Sequence, residues 1–270
     1  MSDAPGKPDP NQAFYEKATS ALRDLFARAQ AAHELHFVMA LMPEFRGMQD
    51  AGWNTAQEAV RAYDEFVALI KSLDRADSVR ARVILSFYLQ VSEGSGFWEI
   101  PKKLLLTVEG KGNNLWPFQD LVERHRLTGE VMAPNANKIM KDMIGHASEL
   151  GLKDLAEVLR DAFDPDIRNA VAHADYILWQ DGMRLRRRNG GHPRVIPWEE
   201  FDTTVTRGLN IFSMVRGIAS EFIEGYHPPK VIRASLNEHE PESDYTLYYE
   251  PETGAFGMTT GGTPGEIPKG

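Results

Sequence analysis

The segment Asp164-Pro165-Asp166-Ile167-Arg168-Asn169-Ala170-Val171-Ala172-His173 gathers the side chains best suited to chemistry in this chain. Histidine titrates near neutrality and can both take and give a proton. Arginine keeps its charge, and its planar fork matches two oxygens of a phosphate. Asparagine can hydrogen-bond an imidazole or a phosphate oxygen. A cation, a proton-transfer group and an amide in one stretch suit work on a phosphodiester. Local signals say where they stand. Asp164 is a good N-cap, Pro165 takes a first-turn position that needs no backbone N–H, and Asp166 favours the positive end of the helix dipole. The helix is therefore expected to start near Pro165. Asn169 and His173, four residues apart, share one face. Arg168 and His173, five apart, lie about 140° from one another around an ideal helix.

A purely structural reading exists for the same residues: Arg168 would pair with Asp164 or Asp166, and His173 would make a core contact. Other candidates are thinner. His33 and His36 are spaced to share a metal, but no third ligand lies nearby and the His-Glu-x-x-His zinc pattern is absent, so structural histidines are expected and no metal site. His146 is expected at the polar edge of an amphipathic helix. Gly110-Lys111-Gly112 lacks the length and the Lys-Ser/Thr ending of a phosphate loop, and no Gly-x-Ser-x-Gly elbow occurs. Nothing implies a cofactor. Tyr245, Tyr248 and Tyr249 could stack on bases, although an alternating strand explains them more cheaply.

The formal net charge of −9 argues against wholesale coating of nucleic acid. Its distribution is uneven: between Gly182 and Ile196 stand Arg184, Arg186, Arg187, Arg188 and Arg194 with no acidic residue. Such a run is either a solvated hairpin or a phosphate-contacting surface. With 270 residues, 42% of them hydrophobic, the chain can bury a real core. It has no cysteine, its first residues are polar and Pro-rich, and its apolar runs are too short to span a bilayer. A cytoplasmic protein without membrane attachment is expected.

The elements that must position the motif are mostly helical. Apolar residues recur at helical spacing over 13–42 (one helix or two), 54–70, 78–92, 99–108, 118–125, 135–150, 152–163 and 199–223. After His173 the period changes. Tyr176-Ile177-Leu178-Trp179, then Asp181-Gly182, then Met183-Arg184-Leu185-Arg186 predicts a β-hairpin turning at Asp-Gly. A strand is expected at Val231, and 245–249 is expected to pair with 255–258. The fold class is thus mainly α: a helical bundle with a small β-hairpin insertion and a short β-rich C-terminal extension. Residues 1–11 are expected to be disordered, 12–228 to form the helical domain, and 229–270 the extension, loose over its last ten residues.

Arg168-Asn169 followed by His173, on a cap-started helix after an amphipathic one, resembles the HEPN superfamily of helical domains over roughly residues 130–225. Many members are RNases whose motif is Arg, four to six residues, then His, with a polar residue after the Arg. The resemblance implies a metal-independent endoribonuclease in which the RNA 2′-hydroxyl attacks the phosphate, leaving a 2′,3′-cyclic phosphate and a 5′-hydroxyl. It implies Arg168, Asn169 and His173 as catalytic residues and a homodimer in which two such helices face one another. RNA would be held by Arg184, Arg186, Arg187 and Arg188, and an antitoxin or regulatory protein is a further implied partner, in a defence or toxin–antitoxin setting. Some members continue His-x-Tyr. Here the order is His173-Ala174-Asp175-Tyr176, so that modification site is not carried over. The alternative is a non-catalytic helical module binding a nucleotide, an RNA or a protein, which the acidic charge and the length of the chain favour.

Overall fold

The computed structural model describes residues 11–42, 48–50, 53–73, 78–186, 192–237 and 239–260. Its centre is α5 (Ser95–Glu109), in which every residue over 97–107 is buried, Glu99, Lys102 and Lys103 included. A helix buried on all sides needs neighbours on all sides. They are α1 (Gln12–Ala32), α2 (Glu34–Leu41), α3 (Thr55–Ser72), α6 (Ala136–Glu149) and α9 (Trp198–Glu224). The expected 13–42 stretch is two helices because His33 adopts an extended backbone, and its imidazole accepts the His36 N–H to cap α2. Asn54 caps α3 in the same way through Gln57. Gly110, at φ +86°, stops α5 by letting the Lys111 N–H reach back to the Leu106 carbonyl at 2.9 Å.

The motif helix packs on the helix that precedes α5. Two helices, α4 (Ser78–Glu93) and α7 (Lys153–Ala162), lead to α8 (Pro165–Ala172), which starts at Pro165 as its cap signals require. Beyond it lie β5 (Tyr176–Trp179), β6 (Gly182–Leu185) and β7 (Arg194–Pro197), a three-stranded antiparallel sheet rather than the expected two-stranded hairpin. Trp179 pairs with Gly182, so Gln180 and Asp181 make the turn, not Asp181-Gly182. Gly182 is needed for another reason: at φ +152° a Cβ there would lie 2.1 Å from the Ile196 carbonyl oxygen. Met183, Leu185 and Ile196 form the buried face of this sheet.

The helix expected over 118–125 is absent. A 3-10 turn (Gln119–Leu121) is followed by β3 (Glu123–Arg124) paired with β4 (Val131–Met132). No residue over 119–133 is buried, and a short helix without a packed face has little to hold it. A further small pair, β1 (Met48–Asp50) and β2 (Trp53–Asn54), precedes α3. The C-terminal strands β8 (Lys230–Ala234), β9 (Ser243–Glu250) and β10 (Ala255–Thr260) form an antiparallel sheet in the order β10-β9-β8, with 245–249 facing 255–258 as the alternation predicts. It is joined to the helices by buried Tyr226, Tyr245 and Leu247 and by Lys230 on the Glu34 carboxylate. The chain is mainly helical with small β-sheets. Among the described residues no helix is long and apolar enough to cross a membrane. The expectations for residues 1–10 and 261–270 lie outside the described residues, and Asn11 is buried with its amide oxygen accepting from Arg207 Nε at 2.8 Å.

A glycine shapes one of the contacts between the bundle and the start of the motif helix. Gly208 on α9 leaves room for the Tyr88 ring of α4: a Cβ at Gly208 would lie 2.4 Å from that ring and 2.6 Å from the Ala162 carbonyl oxygen. Tyr88 is fully buried, and its hydroxyl accepts the backbone N–H of Asp164 at 2.8 Å. Gly208→Ala should therefore destabilise the fold by about 1–3 kcal/mol through overpacking. Gly217→Ala, on the same helix with open space around it, should gain up to about 1 kcal/mol from helix propensity. Paired thermal melts check both signs; a Gly208→Ala protein as stable as wild type would refute the packing account.

Candidate functional site

Asp164 places the motif helix. Its Oδ1 accepts the N–H groups of Asp166 at 2.9 Å and Ile167 at 3.0 Å, two of the donors a helix start leaves unpaired. Its Oδ2 receives Arg194 Nη1 at 2.8 Å, and Arg194 also reaches Asp166 at 3.4 Å and Glu200 at 3.0 Å. Burial works against the Arg194 charge, but Asp164 foremost, with Glu200 and Asp166, outweighs it and raises the guanidinium pKa. Arg194 is thus spent inside the chain, pinning β7 to the start of α8, and is not part of a phosphate-contacting run.

With Asp164 and Asp166 taken, Arg168 pairs with neither, contrary to the structural expectation. Its Nη2 makes an ion pair with Glu93 Oε1 at the end of α4, and its Nη1 donates to Asn169 Oδ1 at 2.7 Å. Asn137 Nδ2 donates to the same oxygen at 3.4 Å, and Glu93 Oε2 accepts the Ala136 N–H at the start of α6. The Arg168 side chain is 12% exposed. Burial lowers its pKa, and its Nε is buried without a hydrogen-bond partner among the described residues. The structure therefore unites Arg168 and Asn169, and adds Glu93 and Asn137, which the sequence reading did not single out. A signal for Glu93 existed: a carboxylate at a helix C-terminus opposes the helix dipole unless a cation or N–H compensates it.

His173 is the C-cap of α8 and is exposed. Its backbone N–H donates to the Asn169 carbonyl at 3.1 Å, but among the described residues no hydrogen bond or ion pair links its imidazole to Arg168 or Asn169, and its exposure is not that of a core contact. The chain leaves the helix through Ala174, which takes a left-handed φ of +54° so that the Asp175 N–H reaches the Ala170 carbonyl at 2.8 Å. Arg184 lies on β6 with its guanidinium 5.3 Å from the Trp179 ring and 3.2 Å from Asp181 Oδ2. Arg186 is exposed just beyond β6. Arg187 and Arg188 lie outside the described residues.

The remaining histidines have other employment. His33 and His36 stack with ring centroids 3.7 Å apart, and His36 Nε2 lies 3.1 Å from the Leu236 carbonyl oxygen. Among the described residues no group of three or more His, Asp or Glu is placed to hold a metal ion. His146 is not at a polar edge but half-buried in a charged chain. Lys102, its side chain 8% exposed, donates to Asp142 at 2.7 Å and lies 3.3 Å from His146 Nδ1, while His146 Nε2 faces Glu109 Oε2 at 2.9 Å. This chain lines a cavity of about 470 Å³ shared with Lys138 and Asp120.

No family model, no curated protein and no solved structure matches this chain.

The three half-buried histidines carry a pH consequence. Burial lowers the pKa of His33, with His36 adding to it, lowers that of His36, and lowers that of His146, with Lys102 adding to it. Each folded-state value lies below the ordinary 6.5, so the unfolded chain binds protons that the folded chain refuses. These groups are neutral in both states above 6.5, and stability falls as the pH drops through that value. The melting temperature should decline on acidification below 6.5, and His146→Gln should flatten the decline. A profile unchanged by His146→Gln would remove His146 from the account.

Proposed function

We propose that this protein is a metal-independent endoribonuclease of the HEPN type. The observation that supports it most is the division of labour on one eight-residue helix: Arg168 and Asn169 are held together near its start, and an exposed imidazole stands at its end. His173 would take the proton of an RNA 2′-hydroxyl, whose oxygen attacks the adjacent phosphorus. The 5′ oxygen leaves with a proton, giving a 2′,3′-cyclic phosphate and a 5′-hydroxyl. Arg168 would exchange Glu93 for the phosphate as charge builds on its oxygens, since a forked guanidinium suits both partners. Arg184, Arg186, Arg187 and Arg188 would hold the RNA strand.

A second reading has its own support. Arg168 is neutralised by Glu93 and mostly buried, which favours a non-catalytic module that binds a nucleotide, an RNA or a protein and uses the pair for packing.

RNA cleavage in the presence of EDTA decides between them. His173→Ala should lower cleavage by about 10²–10⁴-fold, the usual cost of losing an acid–base group, while its melting temperature stays near wild type because the imidazole is exposed. Arg168→Lys should be nearly as damaging as Arg168→Ala, since a point ammonium cannot reproduce a fork on phosphate. Cleavage within a few-fold of wild type in His173→Ala would overturn the catalytic assignment. Loss of stability without any cleavage to lose would establish the packing role.

A single copy supplies one His173, and the reaction needs both a proton acceptor and a proton donor. A two-fold axis beside α8 would bring two imidazoles and two guanidiniums to one cleft. Light scattering at micromolar concentration should give about twice the chain mass of 30.3 kDa. A protein that cleaves RNA as a strict monomer would remove the composite site.

A further inference from the structure

The outer face of the β5-β6-β7 sheet exposes large apolar side chains among the described residues and is chemically unusual. Cross-strand register sets Ile177, Arg184 and Val195 in one row and Trp179, Gly182 and Pro197 in the next. Because strand residues alternate in direction, these share the side opposite buried Met183, Leu185 and Ile196. Ile177, Trp179 and Val195 are 59%, 54% and 47% exposed. Large apolar side chains grouped on one exposed sheet face mark a surface that binds something.

We infer that this face binds single-stranded RNA by stacking a base on Trp179 beside Arg184. Three features select that occupant. The Arg184 guanidinium lies over the Trp179 ring at 5.3 Å, so a cation braces an indole that is 54% exposed. The strand end that carries Trp179 is fixed: the Trp198 indole N–H lies 3.1 Å from both the Trp179 and the Gln180 carbonyl oxygens. A cleft of about 640 Å³ opens at the β5 edge, lined by Trp179, Trp198, Leu178, Phe201, Arg80 and Asp202, which is room for a base. Charge agrees with geometry. In a chain of net charge −9, the 182–188 stretch holds four arginines and no acid, and exposed Arg186 continues the strand of Arg184. An aromatic platform with guanidiniums at its edge is what an unstacked strand needs, bases on the ring and phosphates on the cations. A duplex hides its bases from such a ring.

This inference rests on the RNA reading of the protein but is tested apart from cleavage. The probe is a fluorescently labelled, short 2′-O-methyl oligouridine, which has no free 2′-hydroxyl to attack. Fluorescence anisotropy should show saturable binding to the full chain, and a 2′-O-methyl duplex of the same length should bind more weakly. Trp179→Ala should lower single-strand affinity by about tenfold, in line with the loss of one stacked base, and leave the salt dependence unchanged. Trp179→Phe should restore most of it. Arg184→Gln with Arg186→Gln should instead flatten the salt dependence. Absence of single-strand binding, or equal affinity in Trp179→Ala and wild type, would overturn the inference. So would Trp179→Ala protein whose only change, by light scattering, is loss of self-association, because the face would then belong to a second copy. Binding without cleavage of ordinary RNA would sink the nuclease reading and leave this platform standing.

Discussion

One carboxylate holds three parts of this molecule in register. Asp164 ends the approach from α7, begins α8 by accepting two backbone N–H groups, and anchors β7 through Arg194. Its own N–H is taken by a tyrosine buried between α4 and α9. A charged hydrogen bond is stronger than a neutral one, and one that satisfies helix-start donors removes a desolvation cost as well. Neutralising this group would free the start of α8 and the third strand together, so the motif and its neighbouring sheet behave as one unit.

The Glu93–Arg168 pair does comparable work on the other side. Glu93 closes α4 and opens α6, since its second oxygen accepts the first N–H of that helix. Arg168 brings α8 to the same point. Two helix ends and the middle of α8 therefore converge on one ion pair. Its partial burial means that removing either partner leaves the other charge uncompensated. The arrangement suits a structural joint and also stores a guanidinium beside a position open to solvent through Glu93, whose side chain is 35% exposed.

Much of this was legible from local chemistry. The start of α8, the helices expected over 54–70 and 135–150 and the pairing of the last two strands all follow from short-range rules, and these elements stand where those rules put them. What local rules could not supply was partnership at a distance. Nothing near Arg168 in sequence names Glu93, which is brought to it only by α4 packing on α8. Arg194 looked like one member of a basic run and is instead committed to carboxylates on α8 and α9. β7 escaped notice because Arg194-Val195-Ile196-Pro197 ends in a proline and follows Pro193, and proline in a short run argues against a strand. The segment over 118–125 misled for another reason, having some helical spacing but only Phe118 buried in the core. Exposure of His173 likewise depends on where α8 ends relative to the bundle.

The left-handed residue that follows His173 is an alanine. Glycine takes that conformation freely, whereas a residue with a Cβ spends about 1–2 kcal/mol to hold it. The last turn of α8 is therefore its least secure, and the hydrogen bonds that close it at Ala174 and Asp175 are the ones most prone to transient opening. Such local unfolding operates far below the free energy of the whole domain. An imidazole at that point rides on a segment that can yield while Arg168, a turn earlier, is held by its ion pair. The helix thus joins a firmly held cation to an imidazole on its least secure turn, and amide exchange in α8 would be graded from its capped beginning to its strained end.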